Sequence, residues 1–245
     1  MSEPPSLRRM PDGFLERGEH VTRLEAFVDA AFAFAVTLLV ISLDAIPDSI
    51  PALIEALKGI PAFAASFAQI AFFWYSHASW SRRYGMNDGA GVWLSLLLVF
   101  LVLVYVYPLK LVFGALFYWI SGGWFPTPVQ LASVGDLRAM FSIYGLAYAT
   151  LAGSMLALYA HAWRRRQALQ LDAEETVRTY GYAASWGWSV LVALLSIAVA
   201  VGLPGRITPW LAGAPGMVYA LMSFSPLIAK AAMRRARSRC AAGIA

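Results

Sequence analysis

Uninterrupted apolar blocks of about twenty residues constrain this chain more than any other feature. A hydrocarbon layer about 30 Å thick takes about 20 helical residues to cross, and several blocks of the 245-residue sequence reach that length. The chain is 60% hydrophobic and only 13% charged, too few charges to clothe a water-soluble domain of this size. The alternating ten-residue strands of a membrane barrel are absent. The pattern therefore predicts an all-α integral membrane protein.

Six spans are expected, over residues 22–46, 52–80, 91–119, 135–162, 181–203 and 209–233. Ser49 and Pro51 suit the start of the second helix, and Pro61 should bend it. The stretch before Pro61, with Glu55 and Lys58, reads as an interfacial turn of helix. Pro108 should bend the third helix near its far end. The fourth and sixth helices are diluted by Gly, Ser and Pro. Residues 1–21 read as a polar cytoplasmic segment, loose or interfacial, residues 22–233 as the membrane domain, and residues 234–245 as a basic cytoplasmic tail.

Orientation follows from the basic residues. With the N-terminus inside, the inner segments hold Arg8, Arg9, Arg17 and Arg23, then Arg82 and Arg83, then Arg164, Arg165, Arg166 and Arg178. The last group is Lys230, Arg234, Arg235, Arg237 and Arg239. That is 15 of the 19 Lys and Arg. Only Lys58, Lys110, Arg138 and Arg206 fall on the outer half. This is the positive-inside pattern, and it calls for an even number of spans with both termini cytoplasmic. A bacterial inner membrane, a plasma membrane crossed several times, fits it. The basic clusters Arg164–Arg166 and Arg234–Arg239 would also attract anionic lipid head groups. Nucleic-acid binding is a poor reading, because no basic stretch is interleaved with aromatics outside the apolar blocks.

The first helix is where chemistry could lie. Ala30, Phe34, Thr37 and Ile41 recur at helical spacing on one face, and Asp44 continues it to the outer end. A carboxylate at a mouth concentrates cations, a hydroxyl can replace a water of hydration, and apolar rings narrow a path. A helix simply packed against its neighbours accounts for the same spacing. The inner end carries Arg23, Glu25 and Asp29, and ionisable groups at membrane depth normally face protein or water.

Arg23-xxx-Phe27-Val28-Asp29, followed by Phe32-Ala-Phe34-Ala-Val-Thr37-Leu38-Leu39, resembles the first-helix signature of the transmembrane protein 175 family of potassium channels. The family pattern is Arg-xxx-Phe-Ser-Asp, then an apolar run ending Thr-Leu-Leu. Leu57, Pro61, Phe63, Ser66, Phe67 and Ile70, followed by Trp74 and His77, resemble that family's second helix. The resemblance implies a homotetramer that passes potassium ions with modest selectivity, through a central pore lined by the first helices. It implies an apolar constriction at Phe34, a hydroxyl ring for transiting potassium at Thr37 and a further apolar ring at Ile41. No carbonyl-lined re-entrant loop is implied, and none is visible. It further implies that Arg23, Phe27, Asp29, Trp74 and His77 form a network holding the inner halves of the helices together. Val28 stands where the motif has serine, and Phe34 puts an aromatic ring where an aliphatic side chain is usual.

Other readings of the same residues exist. Asp29, Arg23 and His77 could relay protons in a coupled transporter, and the Val28 and Phe34 departures keep a non-conducting structural protein in view. A membrane-embedded enzyme is disfavoured, since no nucleophile–base pair, phosphate loop or paired carboxylates appear. No cofactor is called for, and the three histidines lack metal-ligand spacing. Lys110 should snorkel to the outer interface, although a cation-repelling role would use the same position. Cys240, the only cysteine, excludes a disulfide within the chain and reads as an inert thiol.

Overall fold

The structure is a computed structural model, and it describes residues 8–41, 47–208 and 210–241. Among them every regular element is helical, apart from one isolated bridge between Arg9 and Leu15. The helices are α1 (Arg23–Ile41), α2 (Ile50–Leu57), α3 (Ile60–Tyr84), α4 (Gly89–Ile120), α5 (Val134–Arg164) and α6 (Ala173–Val201). A broken stretch follows: a 3-10 turn over Leu211–Gly213, α7 (Ala214–Met217), a second 3-10 segment over Val218–Phe224, and α8 (Ser225–Ala241).

Local chemistry sets most boundaries. Ser49 caps α2 by accepting from the Ala52 N–H at 3.4 Å, with Pro51 in the first turn. Gly59 and Pro61 then interrupt the helix, and α3 departs from α2 at 42°. Gly85, in the left-handed region at φ +56°, ends α3. Asp88 caps α4, which runs unbroken through Pro108. Reciprocal capping boxes start α5 (Ser133 with Asp136) and α6 (Asp172 with Glu175). That second box carries α6 eight residues further toward the N-terminus than its apolar pattern reaches, because Glu174, Glu175 and Arg178 hide a helical turn from any hydropathy reading.

The expected sixth helix over 209–233 is not a regular span. Pro215 sits buried in it, and its backbone alternates between 3-10 and α geometry. Free carbonyls at membrane depth are expensive, and α6 supplies the donors. Ser196 Oγ donates to the Pro215 carbonyl at 2.8 Å, and Trp188 Nε1 to the Leu221 carbonyl at 2.9 Å.

Four described helical stretches are long and apolar enough to cross a membrane: α4, α5, α6 and the stretch Leu211–Ser238. The bent α2–α3 pair would make a fifth. α1 has 19 residues, about 28 Å at 1.5 Å per residue. It carries Arg23, Glu25 and Asp29, and it stops where the described residues do.

α5 packs chiefly on α6 and α4, α8 lies along α6, and α1 rests on α3 and α4. Gly145 permits a close α5–α6 approach, since a Cβ there would meet Ile197 Cγ1 at 2.5 Å. Aromatic rings from α3, α4, α5 and α6 fill the centre, among them Phe73, Tyr105, Tyr148 and Trp186.

Residues 8–21 are docked on the helices rather than loose. Pro11-Asp12-Gly13 turns it back on itself, and Phe14 is fully buried. The edge of the Phe14 ring meets Tyr84, and the Arg83 guanidinium lies over the faces of Phe14 and Tyr182. Arg83 also bonds Asp12 at 2.8 Å and the Tyr159 hydroxyl at 2.8 Å.

Candidate functional site: the two faces of the first helix

α1 starts at a reciprocal pair: the Thr22 hydroxyl accepts from the Glu25 N–H at 3.2 Å, and the Thr22 N–H donates to Glu25 Oε2 at 2.9 Å. From there the helix presents two unlike faces. Val28, Phe32, Ala35 and Leu39 are buried against the rest of the chain. Their spacing of four, three and four is one helical stripe. The opposite stripe, Arg23, Phe27, Ala30, Phe34 and Thr37, is exposed. Phe27 and Phe34 are 55% and 54% exposed.

The sequence-derived positions therefore separate cleanly. Ala30, Phe34 and Thr37 share the open face. Ile41 closes α1, but its side chain and all of Asp44 lie outside the described residues. Thr37 Oγ1 donates to the Ala33 carbonyl at 3.0 Å. Its one proton is thus turned into the helix, and its lone pairs remain free to accept. Val28, in place of the motif serine, is wholly buried in the apolar core, where a methyl-bearing side chain packs without needing a hydrogen-bond partner.

The polar positions of the signature are only partly brought together among the described residues. Trp74 Nε1 donates to Asp29 Oδ1 at 2.8 Å, which ties α3 to α1. His77 makes no hydrogen bond to Asp29. It is buried, its Nε2 lies 2.9 Å from Ser95 Oγ of α4, and its ring lies against Trp80. The Arg23 side chain is exposed and makes no hydrogen bond or ion pair to another described residue. The proton relay suggested by Asp29, Arg23 and His77 therefore has no direct hydrogen-bonded link here. No group of three His, Cys, Asp or Glu side chains among the described residues could hold a metal ion.

Sequence reasoning missed a second constellation, between the segment preceding α1 and the first turn of α6. Arg17 and Glu175 form a bidentate pair at 2.8 and 2.7 Å, with side chains 10% and 0% exposed. The available signals were the Pro-Asp-Gly turn and Phe14, a lone aromatic ring in a polar stretch. Nothing in the pattern linked them to a glutamate 158 residues away.

A family model described as the endosomal/lysosomal potassium channel TMEM175 matches residues 23–108, from the start of α1 to Pro108 of α4. A protein of Marivirga tractuosa described as a potassium channel is 31% identical over 202 residues, covering 80% of this chain and 79% of its own length. The chain belongs to the TMEM175 family. Family membership accounts for the paired signatures in α1 and α3, and the family is one of ion channels rather than enzymes. The fold agrees. A crystal structure of a threonine-to-alanine variant of the potassium channel MtTMEM175, in complex with a nanobody–MBP fusion, superposes with TM-score 0.76 at 28% identity. That match covers 89% of this chain and 95% of the other. A lysosomal potassium-selective channel TMEM175 homolog from Chamaesiphon minutus shares the fold, with TM-score 0.56 at 23% identity over 84% of this chain and 96% of its own.

Proposed function

We propose that the chain is a subunit of a passive cation channel favouring potassium. In this reading four copies surround an axis with the Ala30–Phe34–Thr37–Ile41 face of α1 turned inward. Each copy crosses a bacterial inner membrane six times, with both termini in the cytoplasm and α1 as the first span. The observation that carries the reading is the open stripe on α1: an apolar–hydroxyl face that the chain leaves uncovered while burying the opposite side to completion. Kinship supports it, since the relatives are described as potassium channels.

The physics of conduction follows from the order of side chains. Phe34 from each copy narrows the path to an apolar ring, which expels water and blocks ions until the rings turn aside. The Thr37 oxygen, its proton held by Ala33, offers lone pairs to a partly dehydrated cation one turn further out. Asp44 at the outer mouth raises the local cation concentration. Arg23, Phe27, Asp29, Trp74 and His77 serve as the inner frame. The inner arginine clusters, Arg164–Arg166 and Arg234–Arg239, set orientation and meet anionic lipid head groups.

Reconstitution into liposomes with a potassium gradient tests the proposal. Wild-type protein passes potassium without a pH gradient, and Phe34→Ala raises the flux at least several-fold by widening the apolar ring. Unchanged flux in a conducting preparation removes Phe34 from the constriction. Saturable transport that requires a pH gradient would replace the channel with a coupled carrier.

A further inference from the structure

We propose that the docked N-terminal segment is a clamp that positions the inner end of α1, with Arg17 and Glu175 as its positioning pair. The inference deepens the channel reading and rests on it for its link to conduction.

Arg17 is used to the full. Its Nη1 and Nη2 grip the two oxygens of Glu175 at 2.8 and 2.7 Å. Nε donates to the Leu169 carbonyl at 3.0 Å and Nη2 also to the Gln170 carbonyl at 3.3 Å. These two carbonyls belong to the α5–α6 connection, and Gln170 is the one non-glycine residue among those described with positive φ, +49°. Nη1 reaches the Arg83 carbonyl at 3.4 Å. Glu175 in turn accepts from the Leu15 N–H at 2.7 Å. The planar five-donor fork matches this set, and an ammonium group would not. A buried carboxylate stripped of its partner is strongly destabilising, so the pair holds the segment in one place.

The segment is also fixed through its backbone. The N–H groups of Arg17 and Gly18 both donate to the Arg82 carbonyl at the end of α3, at 3.1 and 3.0 Å. The contact is so close that a Cβ on Gly18 would meet the Ser81 carbonyl oxygen at 2.7 Å. From that anchored point only Glu19, His20 and Val21 lead to Thr22, the cap of α1. Four Cα steps give a leash of at most about 14 Å. The inner ends of α3, α6 and the α5–α6 connection therefore meet in one knot, and the start of α1 hangs from it. The α1 faces must be aligned in every copy at once, so a modest loss of alignment per copy multiplies across the assembly.

The test uses full-length protein carrying Glu175→Gln, Arg17→Lys or Gly18→Ala. The glycine variant strains the backbone contact with α3 while keeping both charged side chains in the sequence, so it remains informative if the charge variants fail to fold. Amide exchange is read at Leu15, Arg17 and Gly18 and in the first turn of α1, alongside liposome potassium flux and the thermal midpoint in detergent. The expected result is exchange about tenfold faster at the three N-terminal amides and also in the first turn of α1. Flux should fall at least about threefold in the same variants. Arg17→Lys should behave like Glu175→Gln, because charge without the fork does not hold the knot. The proposal is overturned if the N-terminal amides open while the first turn of α1 and the flux stay at wild-type levels, or if Arg17→Lys leaves every readout unchanged. Wild-type protein that carries no flux would instead defeat the channel reading, and exchange in α1 would then decide the clamp alone.

Discussion

α1 and α5 are both apolar helices, yet the chain treats them oppositely. α5 is packed on more than one side, with Tyr148, Leu151, Ala152, Met155 and Leu158 all buried between α4 and α6. α1 buries a single stripe, Val28, Phe32, Ala35 and Leu39, and leaves Phe27 and Phe34 more than half exposed. One helix is finished by its own chain and the other is not. Large apolar side chains at helical spacing are equally suited to a core, to lipid and to an assembly axis. The exposure of Phe27 and Phe34 rules out a core within the chain, and the proposed function assigns their face to the axis rather than to lipid.

The sharpest way to break the comparison is a truncation on each helix. Leu151→Ala is expected to lower stability by about 2–5 kcal/mol, the range for a fully buried leucine. Phe34→Ala should stay within about 0.5 kcal/mol for the isolated subunit. Thermal or denaturant unfolding in detergent measures both. Equal losses would mean that Phe34 is covered by its own chain after all. The irregular last stretch gives the next largest effect. Trp188→Phe keeps an aromatic ring but removes the donor to the Leu221 carbonyl, and a cost of about 1–3 kcal/mol is expected for leaving that oxygen bare. A midpoint equal to wild type would show that the carbonyl finds another donor.

The smallest effect is an acid-side one at the start of α4. Burial alone would raise the Asp88 carboxyl. The hydrogen bonds from His161 at 2.7 Å and from the Gly91 N–H, with Arg165 nearby, outweigh it and hold the group below its ordinary value of 3.8. Because the folded value is the lower one, this stabilisation is complete above pH 3.8 and drains away as pH falls through the depressed value. Asp88→Asn should flatten that part of the stability–pH curve, read by thermal unfolding across acidic buffers. An unaltered acid slope would assign it to other carboxylates.

The parts of this fold legible in the sequence are those governed by short-range rules. Apolar run length placed α4 and α5 to within a few residues, Pro61 marked the bend between α2 and α3, and the spacing of Ala30, Phe34 and Thr37 placed them on one face. The start of α6 was hidden because its first turn is charged, and hydropathy does not see a capping box. The Arg17–Glu175 pair was hidden for another reason. Arg17 and Glu175 are far apart in the chain, and only the packing of α3 and α6 brings them together. The fate of His77 was likewise invisible, since choosing Ser95 over Asp29 depends on how α4 lies against α3.

The two carbonyls of the broken stretch, at Pro215 and Leu221, lean on Ser196 and Trp188 as on two pegs. Two pegs fix a register where one would allow sliding. This portion of the chain cannot creep along its neighbour, or be lengthened by a residue between the pegs, without stranding an oxygen in oil. The least regular segment among those described is thus tied to α6 at two points, and a motion of either carries the other along.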